Sequence, residues 1–166
     1  MNQSLTFSRA KQLTEKQKQE VVELWNAEYP ARINYASLEE FDQYLNELGD
    51  LHHIILADEH NTIRGWLAYF MRDDERWFAI LLDSSIQGKG WGSKFLQLAK
   101  DQNRELNGWV IDHNREPKKD GSFYQSPIEF YRKIGFEIRA DIPLEKKGIT
   151  GIKIVWKSGA SRDRLG

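Results

Sequence analysis

The run Gln87-Gly88-Lys89-Gly90-Trp91-Gly92 carries the most specific chemical signal in the chain. Its glycines stand at alternate positions between a strand-like apolar run, Trp77 to Leu82, and a helix-like run, Gly92 to Lys100. That arrangement lets successive backbone N–H groups point outward together. A nest of this kind at a helix N-terminus binds pyrophosphate through fixed donors and the positive end of the helix dipole. The competing reading is a glycine turn that only reverses the chain. A Walker-type loop would end in Gly-Lys followed by Ser or Thr, whereas Trp91 follows Gly90. A dinucleotide-binding loop would space its glycines Gly-x-Gly-x-x-Gly, with an acid about 20 residues further on. Asp112 sits near that distance, but the spacing here is Gly-x-Gly-x-Gly and no second nucleotide-binding half follows. With no cysteine, the chain has no thiolate nucleophile, no disulfide framework and no Cys-based zinc site. His52 and His53 fall next to each other on a strand, where neighbours face opposite ways, so they read as structural and no metal is expected.

The elements that must hold this loop follow from periodicity. A short strand over about 4–9 precedes a helix that runs from Thr14 to Glu28 and ends at Pro30. Ser37 with Glu40 marks the start of a second helix, through about Leu48. Strands over about 52–57, 63–71 and 76–83 are separated by short polar turns, which predicts two antiparallel hairpins. A helix over 91–105 follows the glycine loop, then a buried strand at Trp109-Val110-Ile111. Residues 114–125 read as an exposed loop, and Ser126-Pro127 opens a helix over about 127–134. Two last strands, 136–142 and 149–156, are joined by a loop containing Pro143 and Gly148. The fold class is α/β (α+β), and the pattern predicts one domain over 1–157 with a frayed tail at 158–166.

Composition agrees. The chain has 166 residues, 40% hydrophobic and 30% charged, with 24 Lys and Arg against 25 Asp and Glu. That length suits one good core, and the charge balance offers no general attraction to nucleic acid or an anionic membrane. No apolar run approaches the roughly 18–20 residues that span a bilayer. The first residues lack a charged segment followed by an apolar one, so no secretory signal is expected and a cytoplasmic location is.

The pattern Gln-x-x-Gly-x-Gly over Gln87 to Gly92, after a strand and opening a helix, resembles the acyl-CoA pyrophosphate loop of the GNAT-type acyltransferase superfamily. A second signature of that superfamily stands roughly 40 residues on: Tyr131, four residues before Gly135-Phe136. The resemblance spans about residues 3–157, with its firm motifs within 77–136. It implies a mixed, mostly antiparallel sheet of about seven strands with splayed central strands and about four helices. It implies acetyl-CoA as cosubstrate. The pyrophosphate would rest on Gly88, Lys89, Gly90, Trp91, Gly92 and Ser93, and pantetheine on the strand edge at Leu81, Leu82 and Asp83, near Gln87. Lys89 would add solvent-facing charge, and Trp91 reads as a core side chain on the Phe95 face.

For Tyr131 the resemblance implies a phenol near the thioester sulfur. A phenol titrates at about 10 and a thiol at about 8.5, so hydrogen-bond donation to the departing thiolate is the chemistry expected, rather than full proton transfer. On helix spacing alone, Tyr131 reads as a core ring beside Phe130 and Phe136. An ammonium acceptor titrates near 10.4 and must lose a proton before attack. Asp83, at the end of the strand before the loop, and Asp112 and His113, at the end of the next, are candidates to take it. His113 is best matched to neutral pH, and a water relay is the alternative.

The chain departs from the family pattern at Tyr124, where an Asn is common, and at Pro127, where an Ala is usual. The 114–125 loop is long, so Tyr124, Gln125 and Ser126, with Trp25, Tyr29 and Tyr35, are candidates to line the acceptor side. The reading is an N-acyltransferase moving acetyl from acetyl-CoA to a primary amine of a small molecule by direct attack in a ternary complex. Alternatives are a protein lysine or N-terminal acetyltransferase and a non-catalytic CoA-binding sensor. No nucleic acid or membrane partner is expected, and the molecule is read as a monomer or homodimer.

Overall fold

The computed structural model describes residues 4–159. Its strands are β1 (Thr6–Ala10), β2 (Gly49–Ala57), β3 (Ile63–Arg72), β4 (Glu75–Leu82), β5 (Glu105–Val110), β6 (Glu137–Lys146) and β7 (Ile149–Lys157). Helices α1 (Glu15–Glu28) and α2 (Leu38–Asn46) lie between β1 and β2, α3 (Trp91–Asp101) follows β4, and α4 (Ile128–Lys133) follows β5. Short 3-10 turns stand at Ala31–Ile33 and Ser84–Ile86. The strands form one seven-stranded sheet in the order β1-β2-β3-β4-β5-β7-β6. All pairs are antiparallel except β4 with β5.

Local chemistry sets the helix starts. Thr14 accepts the Gln17 N–H while the Gln17 side chain accepts the Thr14 N–H, a full capping box. Ser37 accepts the Glu40 N–H at 3.2 Å. The sheet divides the core. On one side α1 and α2 pack Val21, Trp25 and Phe41 against Trp66, Phe70 and Trp77. On the other, Phe95, Leu96, Tyr131 and Phe136 pack against Leu67, Phe78 and Ile154.

An opening lies between β4 and β5. They pair at Trp77↔Asn107 and part beyond it. Asn107, 1% exposed, fastens that closed end by donating its side-chain N–H to the Arg76 carbonyl at 3.0 Å. β3 on one flank and β7 on the other keep their full ladders. The two halves of the sheet therefore splay from a pinned point.

Three sequence expectations need correction. The loop helix ends at Asp101, not 105, because the Asn103 side chain folds back onto the Ala99 carbonyl at 2.7 Å. β5 accordingly begins at Glu105 rather than Trp109. Pro143 lies inside β6, where a register shift between Arg139 and Pro143 accommodates its missing N–H on an edge strand. The loop over 114–125 is also more ordered than its composition suggests. Its Pro117 and Phe123 bridge each other, and Lys118 bridges Pro30 at the end of α1. The tail expected at 158–166 falls outside the described residues from 160 onward.

Candidate active site

The glycine loop forms as an open cradle. Gly88 and Gly90 hold φ of +75° and +91°, conformations that side-chain-bearing residues rarely adopt. Gly90 caps α3, and the first helical N–H to find an acceptor there is that of Lys94, donating to the Gly90 carbonyl at 3.2 Å. Among the described residues no N–H from Gly88 through Ser93 donates to the protein. These donors suit a pyrophosphate. Gln87 is fixed rather than free: its side-chain N–H groups reach the Leu82 carbonyl at 2.8 Å and Glu28 Oε1 at 3.3 Å.

The edge of β4 facing the opening belongs to Ile80 and Leu82. Asp83 donates its N–H to the Arg64 carbonyl at 2.8 Å, toward β3. Alternation then turns the backbone of Leu82 and Ile80 toward the opening and that of Leu81 away from it. The Ile80 carbonyl, accepting from the Tyr29 hydroxyl at 3.2 Å, and the Leu82 carbonyl follow that geometry. The Leu81 side chain, 2% exposed, packs on the α1 side of the sheet.

A cavity of about 570 Å³ joins these parts. Its walls include Leu82, Gly88, Gly90, Gly92 and Ser93 at one end, with Tyr131, Phe130 and Val110 beside them. Tyr131 is 5% exposed, and its ring meets Phe78, Phe130 and Phe136 at 5.9, 5.2 and 5.3 Å. Its hydroxyl makes no hydrogen bond to protein among the described residues. Burial, with Tyr124 nearby, raises the phenol far above its ordinary value, so it keeps its proton and acts as a donor.

The other wall is supplied by Glu28, Tyr29, Trp109 and the strap Lys118, Phe123, Tyr124 and Gln125. Tyr29 and Tyr124 face each other at 6.1 Å. Glu28 accepts the Ser84 N–H at 3.0 Å and the Ser84 hydroxyl at 2.7 Å, and Lys118 Nζ lies 3.7 Å away. Nothing in the sequence singled out Glu28, because its partners lie 56 and 59 residues away. Trp25 and Tyr35 sit behind this wall, with Trp25 against Tyr29 at 4.7 Å and Tyr35 at 5.1 Å. Ser126 donates its hydroxyl to the Ile111 carbonyl.

The remaining sequence candidates stand elsewhere. Asp83 does not line the cavity. It caps the Ser84–Ile86 turn through the Ser85 N–H at 2.9 Å and pairs with Arg64 at 3.4 Å. Burial pushes its carboxyl up, but the Ser85 hydrogen bonds and Arg64 outweigh that and leave it below its usual range, a poor base. His113 is half-buried outside the cavity lining, its Nδ1 accepting the Arg115 N–H at 3.3 Å, and Asp112 is exposed. Lys89 is exposed and also outside the lining. Trp91 packs toward Phe7 at 5.9 Å with Lys94 over its ring, so only its backbone faces the cradle. Among the described residues no three His, Asp or Glu side chains converge on one point.

A mostly antiparallel seven-stranded sheet, splayed at one parallel pair beside an N–H-lined loop, defines an acetyltransferase fold. The chain belongs to the GNAT acetyltransferase family, whose domain model matches residues 50–138. Solved structures share the fold at low identity. A provisionally assigned phosphinothricin N-acetyltransferase has 20% identity and a TM-score of 0.68, over 93% of this chain and 98% of that one. The phosphinothricin acetyltransferase of Sinorhizobium meliloti, solved with AcCoA, has 13% identity and a TM-score of 0.64 over 96% and 90%. The spermidine/spermine N-acetyltransferase SpeG of Vibrio cholerae has 15% identity and a TM-score of 0.62 over 98% and 97%. No curated protein matches the chain. No helix among the described residues is long and apolar enough to cross a membrane.

Proposed function

We propose that this protein transfers an acetyl group from acetyl-CoA to the primary amine of a small molecule, by direct attack within a ternary complex. One observation carries the reading. The unpaired N–H groups of Gly88 to Ser93, the free edge of β4 and the unpartnered Tyr131 hydroxyl all border a single cavity in the splay. The substrates these neighbours are named for, phosphinothricin and spermidine or spermine, are small amines and support that acceptor class.

In this mechanism Gly88, Gly90, Gly92 and Ser93 hold the pyrophosphate of the donor through backbone N–H groups. Ile80 and Leu82 pair with the pantetheine amides along the open edge, and the Leu82 N–H polarises the thioester carbonyl. A preorganised donor of that kind is worth about 3–4 kcal/mol in acyl transfer. Tyr131 donates a hydrogen bond to sulfur as the C–S bond breaks, and coenzyme A leaves as the thiol after picking up the amine's proton through solvent. That proton passes through water, with Glu28, the one carboxylate in the cavity wall among the described residues, to draw an ammonium inward. Asp83 holds the turn that aims the loop. His113, outside the cavity lining, keeps a proposed role only as a relay through water. The enclosing strap favours a small acceptor over a lysine presented by a folded protein.

Thiol release from acetyl-CoA with a panel of small amines tests the reading. Binding of acetyl-CoA with no release for any amine would leave a sensor, and acetylation confined to protein lysines by mass spectrometry would overturn the acceptor class.

A further inference from the structure

A second recess, of about 50 Å³, opens in the same splay and shares Tyr29, Ile80, Trp109 and Tyr131 with the main cavity. On the measure that gives a water a dozen or so Å³, about that volume takes a few waters or one acid group. Its chemistry is one-sided. Arg72 and Lys146 line it, and no Asp or Glu does. Among the described residues neither cation makes an ion pair or donates a hydrogen bond to the protein. Lys146 is half-buried and Arg72 exposed. Half-buried Lys153, Lys18 and Arg76 each have a carboxylate, Glu75 at 3.0 Å, Asp42 at 2.8 Å and Asp50 at 2.9 Å, and half-buried Lys100 donates to the Ile134 carbonyl at 2.8 Å.

A third donor adds independent weight. Trp77 is 6% exposed, lines the recess, and its Nε1–H is buried with no acceptor. A buried N–H without a partner is costly, and native folds rarely leave one without a reason. Aromatic faces take up part of the positive charge. Arg72 lies 4.6 Å over Trp77, and Lys146 lies 5.3, 5.2 and 5.8 Å over Trp25, Tyr44 and Trp109. Ring faces offset only part of the cost of desolvating an ammonium, and they offer nothing to the like-charge repulsion between the two cations. Burial first, then Arg72 and Lys147 beside it, pulls the Lys146 ammonium down to about 8 from its ordinary value. An anion in the recess would satisfy Lys146 and Trp77 at once, with the exposed Arg72 beside them as a further donor.

We propose that the Arg72–Lys146–Trp77 recess binds an acid group carried by the acceptor, so that the acceptor is a zwitterion of the amino-acid type rather than a simple amine or a polyamine. This rests on the acyl-transfer reading above and adds the substrate class. The acceptor's amine would lie toward Glu28 and Tyr131 and its acid toward Arg72 and Lys146, opposite charges meeting opposite walls.

The test uses matched pairs: L-methionine against 3-(methylthio)propylamine and L-phenylalanine against phenethylamine, with acetyl-CoA and thiol release as the readout. The acid-bearing member of at least one pair should show a kcat/KM about ten- to hundredfold higher, the range expected for charge-assisted hydrogen bonds. That ratio should fall toward one in Lys146→Met and in Arg72→Gln. A ratio near one in every pair the wild-type protein turns over would overturn the proposal, as would a ratio that survives in a folded Lys146→Met. With a simple amine as acceptor, succinyl-CoA outpacing acetyl-CoA would place the acid on the donor and overturn it equally. Should acetyl-CoA bind but no amine be acetylated, the acyl-transfer reading fails by itself. Calorimetry with N-acetyl-L-methionine and N-acetyl-3-(methylthio)propylamine on the CoA-loaded protein then decides the recess separately. Preferential binding of the acid upholds an anion site there, and equal binding or none removes it.

Discussion

Replacing Tyr131 with Phe removes one oxygen from a ring that is otherwise held by Phe78, Phe130 and Phe136. The wild-type hydroxyl donates to no protein acceptor among the described residues, so the substitution orphans no neighbour and leaves the packing in place. Stability should therefore move by no more than about 0.5 kcal/mol, the usual limit where no cavity or unpaired group is created. The catalytic consequence is larger. A hydrogen bond to a group carrying charge contributes about 1.5–3 kcal/mol, and each 1.4 kcal/mol or so of barrier is tenfold in rate. Acetyl transfer should slow about ten- to 150-fold, with acetyl-CoA affinity nearly unchanged, since sulfur carries no charge until the bond breaks. Rapid-quench single-turnover measurement isolates the transfer step from product release, and a thermal melt on the same preparation checks the fold. Because burial raises the phenol far above its ordinary value, the wild-type rate should show no alkaline decline from Tyr131 below about pH 10. A single-turnover rate in the Phe variant equal to that of the wild-type protein would remove Tyr131 from the mechanism.

The glycine loop offers a paired test. Gly90→Val meets no neighbour within 4 Å but must hold φ near +91°, so it should weaken acetyl-CoA at least about tenfold by calorimetry while the protein stays folded. Gly92→Val instead places a Cβ 3.1 Å from the Phe130 ring, beside Tyr131, so it should lower both the melting temperature and turnover. Unchanged affinity in a folded Gly90→Val would count against the phosphate cradle. His53, 2% exposed, accepts the Trp66 Nε1–H at 3.0 Å, and burial with His52 beside it pulls its pKa down to about 4. The unfolded chain takes up that proton first, so stability present above about pH 6.5 should be lost as pH falls toward 4, by up to about 3 kcal/mol. Urea unfolding across that window should show a shallower pH slope in His53→Gln, and an unaltered slope would contradict the assignment. Glu28→Gln should lower kcat/KM for amine acceptors about tenfold or more, and an amine KM and kcat equal to wild type would exclude a role in drawing the ammonium inward.

The element order was legible because helical and strand periodicity are local properties. Val21, Trp25 and Phe41 fall on the apolar faces that the sequence pattern predicts, and all three are buried. Boundaries were less legible where a side chain intervened: Asn103 ends α3 through a bond to Ala99 that composition does not announce. Pro143 read as a loop residue, yet an edge strand with a register shift accepts it.

For the site, the glycine loop and Tyr131 were legible in the sequence, since each motif is contiguous, and the structure places both on one cavity wall. Only the tertiary structure decided which candidates share a cavity. Leu81, Asp83 and Leu82 are consecutive, yet strand alternation turns only Leu82 to the opening. His113 and Asp112 follow Ile111 in sequence, yet Ile111 lines the cavity and they do not. Glu28 and Ser84 meet across 56 residues, and Arg72 and Lys146 come from the ends of β3 and β6 to one recess. A single sequence carries no distance between such positions. Their proximity is set by where β4 and β5 part and by the helices and strap that close over the gap.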